Sequence, residues 1–357
     1  AHCISQWGQD FRPSYVKIAD FLRCLPRRPV VSAFTATATE RVRQDIAQIL
    51  ELQNPIRVVT GFDRPNLRFE VRKPKRKAEA IVELVRARRD KSGIVYCSTR
   101  KNVEEVCQRL REAGVRATRY HAGLSDQERL DNQEDFLYDR ATVMVATNAF
   151  GMGIDKSNVG YVIHYNMPQS LESYYQEAGR AGRDGAEAEC LLLFSPGDVE
   201  TAKFLISHPT GEGDPQTRQQ QFLLDMQRLG IMVDYCKTNR CLRGFILDYF
   251  GQTHEDRCGN CGNCDAVLIQ EDVTDIARDL LLCLQEMEAR LGYCLGMTGV
   301  VRVLLGSREK RVLELGLNRL ERYGARKSLG REKLQAVAES LEAQGYLCKD
   351  PNHGGLH

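Results

Sequence analysis

Residues 93–110 read GIVYCSTRKNVEEVCQRL. A short apolar run, Ile94 to Cys97, ends in the polar pair Ser98 and Thr99. Val103, Val106, Cys107 and Leu110 then recur at helical spacing. A strand that hands over to an amphipathic helix is half of a βαβ unit, and the pattern continues on both sides. Downstream come the strand RATRY (116–120), a helix from Asp126 to Leu137, the strands TVMVAT (142–147) and GYVIHY (160–165), a helix from about Ser170, and the strand AECLLLF (188–194). Upstream lies a helix with Ile81, Leu84 and Val85 on one face. Before it, FDRPNLRFEVRKPKRK (62–77) reads as a basic, proline-containing linker joined to an edge strand. Strands alternating with helices predict an α/β, doubly wound parallel sheet covered on both faces, with its chemistry at the carboxyl ends of the strands.

Outside this region the pattern changes. PVVSAFTATAT (29–39) reads as a strand, Val30 to Phe34, running into a Thr-rich turn. ATERVRQDIAQILEL (38–52) follows as a helix with Val42, Ile46 and Ile49 on one face. After Ser195 the strands stop, and residues 200–250 read as helices that end in a cysteine cluster. Beyond Asp272 the helices DIARDLLLCLQEMEARL, LNRLERYG and REKLQAVAESLEAQGYL follow. The last places Leu334, Val337, Ala338 and Leu341 on one face; Gly345 caps it and Tyr346 to Cys348 reads as a strand, so this end is expected to be a winged helix.

A length of 357 residues implies two or three domains at about 150 residues each. Ordinary proportions of 42% hydrophobic and 27% charged residues exclude wholesale disorder and collagen. No apolar run approaches the roughly 20 residues of a membrane span, and no basic-then-apolar leader opens the chain. The expectation is a soluble, cytoplasmic protein. The net charge of +2 does not announce a polyanion partner, but eleven basic against four acidic residues lie between Arg64 and Lys91, and ten against four between Arg302 and Lys333. Such local excess suits a protein that grips phosphates in chosen places, although solvated helix faces carry similar runs.

Of the thirteen cysteines, nine are scattered among apolar neighbours and read as buried thiols. The other four are Cys241, Cys258, Cys261 and Cys264, spaced C-x16-C-x2-C-x2-C. Four thiolates make a closed tetrahedral zinc site, and the glycines of CGNCGNC permit the tight backbone. A closed shell leaves no place for water, so the zinc is expected to be structural. Free thiols, a disulfide or an iron–sulfur cluster are the alternatives, and Cys236 is a spare thiol able to displace a ligand. QEAGRAGRDG (176–185) places Arg180 and Arg183 three residues apart on a helix or its turn. Two guanidiniums flanked by glycines suit a polyphosphate, although such pairs are more often a surface feature.

Together QEAGRAGRDG, ATNAFGMGIDKSNV, GIVYCSTR, YHAGL and SAFTATAT resemble the motor of a superfamily two helicase. AHCISQWGQDFRPSY resembles the aromatic-rich loop of the RecQ family, directly after the end of a DEAH box. The cysteine array and a winged helix are that family's usual next modules. The resemblance covers almost the whole chain. It implies a remnant of a first RecA-like lobe over 1–60, a second RecA-like lobe over 61–200, a helical zinc-binding subdomain over 201–268, and a winged helix over 269–357 cut within its wing.

The resemblance also implies roles. Ala1 and His2 are the last letters of the DEAH box, with His2 linking ATP state to motion. Trp7, Phe11, Arg12 and Tyr15 form the loop that senses single-stranded DNA, where aromatic faces stack on bases. Thr35 to Thr37 couple nucleotide to DNA. Ser98, Thr99, Arg100, Thr147 and Asn148 hold DNA phosphates, with ordinary turn capping as the competing reading. Asp155 approaches the ribose, and Gly153 and Gly179 flank the nucleotide. Arg183 is the arginine finger, beside Arg180 and Gln176. His353 lies near the tip of a wing hairpin.

Two departures stand out. Ser157 replaces a proline common in the family. No G-x-x-x-x-G-K-[ST] occurs, and the acidic pair of the DEAH box is missing. The chain, which opens on Ala rather than Met, is therefore expected to be a fragment that does not hydrolyse ATP. The intact protein is expected to be a 3′ to 5′ DNA helicase of repair and recombination, using ATP and Mg2+ on single-stranded, forked or duplex DNA, nucleoid-associated, with a single-strand DNA-binding protein as a partner. An ATPase-inactive zinc and winged-helix module that binds or anneals DNA is the alternative, and an RNA helicase is the third.

Overall fold

The computed structural model describes residues 1–5, 13–150, 156–208, 215–266, 271–348 and 355–356. The chain divides into two compact units, Ala1–Ala266 and Val267–His357.

The first unit is built on six strands: β1 Leu67–Arg72, β2 Ser92–Tyr96, β3 Ala117–Tyr120, β4 Val143–Ala146, β5 Val159–His164 and β6 Ala188–Leu193. They form one sheet in the order β1-β6-β5-β2-β4-β3, and every pairing is parallel. The sequence places each of these strands correctly, and β1 is an edge as expected. Helices α3 Lys77–Arg86, α4 Arg100–Glu112, α5 Asp126–Leu137 and α6 Leu171–Ala178 connect them. The starts of α4, α5 and α6 are set by side chains: Thr99 accepts the Asn102 N–H, Ser125 and Glu128 form a capping box, and Ser170 accepts the Ser173 N–H.

The alternation of a strand sends successive residues to opposite faces. Val95, Val143, Val145, Ile163 and Leu191 face a core completed by α3 and α4. Ile94, Tyr96, Met144, Val162, Cys190 and Leu192 face the other core. Both faces are dry, so the strands read as continuous apolar runs. Gly93 belongs to this packing: a Cβ there would lie 2.1 Å from the Tyr161 ring.

The helices after the sheet are α7 Pro196–Ser207, α8 Pro215–Lys237, α9 Leu242–Tyr249 and the short α10 Gly262–Asp265. They do not build a core of their own. Leu229, Met232 and Tyr235 of α8, Ile246 of α9, Phe250 and Cys261 join the same core as Phe69, Tyr174 and Leu192. Cys261 also forms an isolated parallel bridge with Phe69, so the cysteine loop covers the β1 edge.

Residues before β1 hold α1 Pro13–Cys24 and α2 Glu40–Ile49, which close a small cluster of Ile4, Leu22, Ala38, Val42, Ile46 and Leu50. The expected strand Val30 to Phe34 is not formed: Val30 is 96% and Phe34 83% exposed, without strand structure. A β-branched run needs a ladder partner to become a strand, and among the described residues none pairs with it. The nine scattered cysteines also need correcting. Cys97, Cys107, Cys190, Cys236 and Cys283 are buried, but Cys3 and Cys294 are only half-buried and Cys24 and Cys348 are exposed.

The second unit contains α11 Thr274–Leu291, α12 Met297–Leu304, α13 Lys310–Glu314 and α14 Arg331–Ala343 around one core that includes Leu280, Met287, Val300, Leu304 and Leu334. This is the helical part of a winged helix. Residues 317–324, expected as a helix, make only a single 3-10 turn, Leu317–Arg319, because Gly316 and Gly324 take left-handed conformations on either side. Tyr346 to Cys348 do not form the expected strand, and Leu347 plugs into the core instead. Leu356 donates its N–H to the Leu295 carbonyl at 3.3 Å. His353 lies outside the described residues.

Candidate functional site

The sulfurs of Cys241, Cys258, Cys261 and Cys264 all lie within 4.8 Å of one another. Two pairs, Cys258–Cys264 and Cys241–Cys261, stand at 4.0 Å. That is close to the edge, about 3.8 Å, of a tetrahedron with zinc–sulfur bonds of about 2.3 Å. No cysteine of the chain is in a disulfide, and Cys236 is buried elsewhere. Backbone amides are aimed at three of the sulfurs: Gly244 N–H at Cys241, Asn260 N–H at Cys258, and Cys264 N–H at Cys261, at 3.3 to 3.4 Å. Such bonds favour thiolates. Burial nevertheless pushes the Cys258 thiol up to about 12. Burial raises Cys264 as well, but hydrogen bonds from the Cys261 thiol and the Gly259 backbone outweigh it and bring Cys264 down to about 7. A divalent cation at the centre of the four sulfurs would hold all of them as thiolates. The donor set fits zinc and leaves no open position, so the metal's role is to fold the loop.

The arginine pair lies on the turn that follows α6. The helix ends at Gly179, and residues 179–184 continue as turns, with Arg180 half-buried and Arg183 exposed. Gly182 has φ +56°, and a Cβ there would lie 2.5 Å from Asn66 Nδ2 and 2.8 Å from the Ala186 carbonyl. Only glycine fits that crossing. Arg64 donates to the carbonyls of Gly179 (3.4 Å), Ala181 (3.2 Å) and Gly182 (2.9 Å). Asn66 donates to those of Gly182 and Ala186, each at 2.9 Å. Tyr96 sits beside the pair: burial pushes its phenol well above the usual range, Arg180 pulls it back, and its hydroxyl donates to the Phe150 carbonyl at 3.1 Å. Gln176 is half-buried on α6, one residue before Glu177, which bonds His164 Nε2 at 2.8 Å inside the core.

Ser98 and Arg100 leave the carboxyl end of β2, and Thr147 and Asn148 that of β4, which is adjacent. Thr99 caps α4, as the competing reading had it. Asn166, at the end of β5, joins these loops: its Oδ1 accepts the Ser98 N–H (3.2 Å) and Asn102 Nδ2 (2.9 Å), and its Nδ2 donates to Asp198 (3.1 Å). Ser98, Asn148, His164, Asn166 and Asp198 line a cavity of about 120 Å3. In the first sixty residues, His2 Nδ1 meets Thr35 Oγ1 at 2.9 Å, so two separately inferred motifs touch. Thr37 is buried, and Tyr15 is exposed on α1. Ser157 lies in an exposed turn before β5. Trp7, Phe11, Arg12, Gly153 and Asp155 lie outside the described residues.

Sequence reasoning missed Asn166, Arg64, Asn66 and Arg243. The strand-end rule that selected Ser98 and Thr147 would also have selected Asn166. Arg64 and Asn66 were visible only as part of a basic linker. Arg243, in the apolar helix LRGFILDY, carries no sequence signal.

Residues 76–185 match the helicase conserved C-terminal domain, residues 196–265 the RecQ zinc-binding domain, and residues 268–357 the RQC domain. The ATP-dependent DNA helicase RecQ of Bacillus subtilis is 49% identical over 350 residues, covering 98% of this chain and 56% of that protein. The ATP-dependent DNA helicase RecQ of Haemophilus influenzae is 37% identical over 348 residues, covering 97% of this chain and 54% of that protein. The chain thus spans about half the length of the curated relatives it matches. With a fully parallel sheet, a four-sulfur metal centre sharing its core, and three consecutive domain matches, the chain belongs to the RecQ family of superfamily two helicases.

Proposed function

We propose that the chain is the working second half of the motor of an ATP-dependent DNA helicase that moves 3′ to 5′ and serves repair and recombination. The observation that carries this reading is the locked turn after α6: its carbonyls are taken by Arg64 and Asn66 while Arg183 stays exposed. A guanidinium held on a rigid backbone suits the developing charge of a transferring γ-phosphoryl group. Arg183 acts as the finger, Arg180 and Gln176 steady the phosphates, and Asp155, Gly153 and Gly179 border the nucleotide. His2 signals through Thr35. Trp7, Phe11 and Arg12 stack on or pair with single-stranded DNA, and Ser98, Arg100, Thr147 and Asn148 take its phosphates.

In this reading residues 1–60 belong to a first lobe, 61–200 form the second, 201–268 carry the zinc, and 269–357 dock duplex or forked DNA through the basic stretch from Arg302 and the helix at Arg331. ATP and Mg2+ bind where the two lobes meet, the protein works at the cytoplasmic nucleoid, and a single-strand DNA-binding protein is a natural partner. No helix among the described residues is long and apolar enough to cross a membrane. The 357 residues alone, which contain no phosphate-loop motif, do not turn over ATP.

The test is Arg183→Ala in the full-length gene product. DNA-stimulated ATPase is expected to fall by about a thousandfold while DNA binding persists, the scale on which arginine fingers act. Full ATPase in that variant would overturn the reading. Stimulation by RNA in place of DNA would move it to an RNA helicase.

A further inference from the structure

The arginine turn does not hold itself. Arg64 and Asn66, which take its carbonyls, belong to the segment 62–67, and that segment is gripped from its other side by the cysteine module. Arg243, two residues beyond Cys241 on α9, is 6% exposed. Its guanidinium bonds Asp63 Oδ1 at 2.8 Å and the carbonyls of Arg64 (2.6 Å), Pro65 (3.2 Å) and Leu67 (2.6 Å). The helix that carries it starts at the metal ligand Cys241, whose sulfur accepts the Gly244 N–H at 3.3 Å. Asn260, between Cys258 and Cys261, donates to the Pro65 carbonyl at 3.2 Å. Gln252 Oε1 accepts the Phe62 N–H at 2.5 Å, and the Phe250 ring stacks on Phe62 with centroids 4.4 Å apart. Arg68 pairs with Asp265 in the metal loop.

One guanidinium on the helix that starts at Cys241, and Asn260 of the metal loop, therefore hold the same backbone segment that positions the turn. A buried guanidinium has no solvent to fall back on, so its partners fix its place. With zinc bound, the loop carrying Cys258, Asn260 and Cys261 is tied to Cys241 at the start of α9. Without zinc that tie is lost, and Asn260 moves with the loop.

We propose that Arg243 and Arg64 form a relay: Arg243 ties the metal centre to the segment 62–67, and Arg64 passes that constraint to the turn carrying Arg180 and Arg183, so zinc sets the geometry of the arginine turn as well as folding its own loop. Arg64 and Arg243 are positioning residues. Only the catalytic consequence rests on Arg183 acting at ATP; the positional claim stands by itself.

Amide hydrogen exchange on the 357-residue chain tests the position, with zinc content measured in each sample. Removing zinc with a chelator is expected to speed exchange across residues 179–186 at least tenfold, with β3 and β4 unchanged. Arg243→Gln is expected to release the turn to the same extent while zinc remains at one per chain, and chelation then adds little further there. Arg64→Gln, which leaves the metal loop untouched, is expected to do the same, and Arg64→Lys to restore part of the protection. If Arg243→Gln fails to fold, the Arg64 pair decides. An unchanged turn in Arg64→Gln, or a turn released by chelation in Arg243→Gln as fully as in the parent, overturns the relay. In the full-length protein, Arg64→Gln is expected to lower kcat of DNA-stimulated ATPase at least tenfold with KM for DNA unchanged. Full ATPase in Arg183→Ala would sink the finger reading without touching the exchange result.

Discussion

The sheet of the first unit and the segment that precedes it contain equally strand-like sequence, yet only one of them builds strands. GIVYC and CLLLF become β2 and β6 because each lies between or beside parallel neighbours and is covered on both faces. PVVSAF, equally rich in β-branched and aromatic residues, forms no strand ladder among the described residues, with Val30 and Phe34 in solvent. Local pattern states a preference of about 1 kcal/mol at most per residue, and the ladder and the covering helices decide. The same contrast appears in the cores. The sheet shares one continuous core with α8, α9 and the cysteine loop, whereas the apolar cluster among the described residues of 1–52 holds six buried side chains.

The largest test of this contrast is removal of zinc. It is expected to cost the part of the shared core built by α8, α9 and the β1 edge several kcal/mol, since metal binding free energy is folding free energy. The cluster of Ile4, Val42 and Ile46 should be unaffected. Exchange at α8 and β1 against exchange at α2 reads the difference, and equal loosening of both would break it. Next come paired truncations. Met232→Ala, in a fully buried part of the shared core, should cost about 4 kcal/mol, and Ile46→Ala about 2 kcal/mol, because the smaller cluster can relax into the space left. Denaturant melts of the two variants check this, and equal losses would mean the small cluster is as tightly packed as the sheet. Gly93→Ala should cost about 2 kcal/mol, since the new methyl meets the Tyr161 ring and neither strand can retreat. Gly251→Ala, with a positive φ but open space, should cost only about 1 kcal/mol.

The smallest effect concerns pH. The Lys156 ammonium, 2.8 Å away, holds the Asp139 carboxyl below its usual 3.8. A carboxyl lowered on folding stabilises above its unfolded value and loses that contribution as pH falls through the folded one. Asp139→Asn should therefore cost about 0.5 kcal/mol at pH 7, modest because Asp139 is exposed, and the gap to the parent should close below pH 3.8. Melting curves at pH 7 and pH 3 give the comparison, and a gap that widens in acid would reverse the sign.

Much of the candidate site could be read directly. Cys241, Cys258, Cys261 and Cys264 announce themselves by spacing, because a turn must bring successive sulfurs to one ion. Arg180 and Arg183 announce themselves by composition, and Ser98 and Thr147 by their place after apolar runs. What could not be read was who holds these groups. His2 meets Thr35 across 33 residues, and Arg64 meets Gly182 across 118. Arg243 reaches Leu67 across 176 residues. A residue whose work is to satisfy distant carbonyls leaves no periodicity, since its spacing follows the chain's path through space.

Sequence alone determined the period of the sheet's strands and of the helices between them, the class of the sheet and the chemistry of the metal ligands, because those depend on neighbours within a few residues. Tertiary structure alone decided that PVVSAF is no strand, that the cysteine module shares the sheet's core, and that one buried guanidinium joins the helix begun at Cys241 to the backbone beneath the arginines. Each of these is a matter of burial, and burial is a property of surroundings assembled from the whole fold.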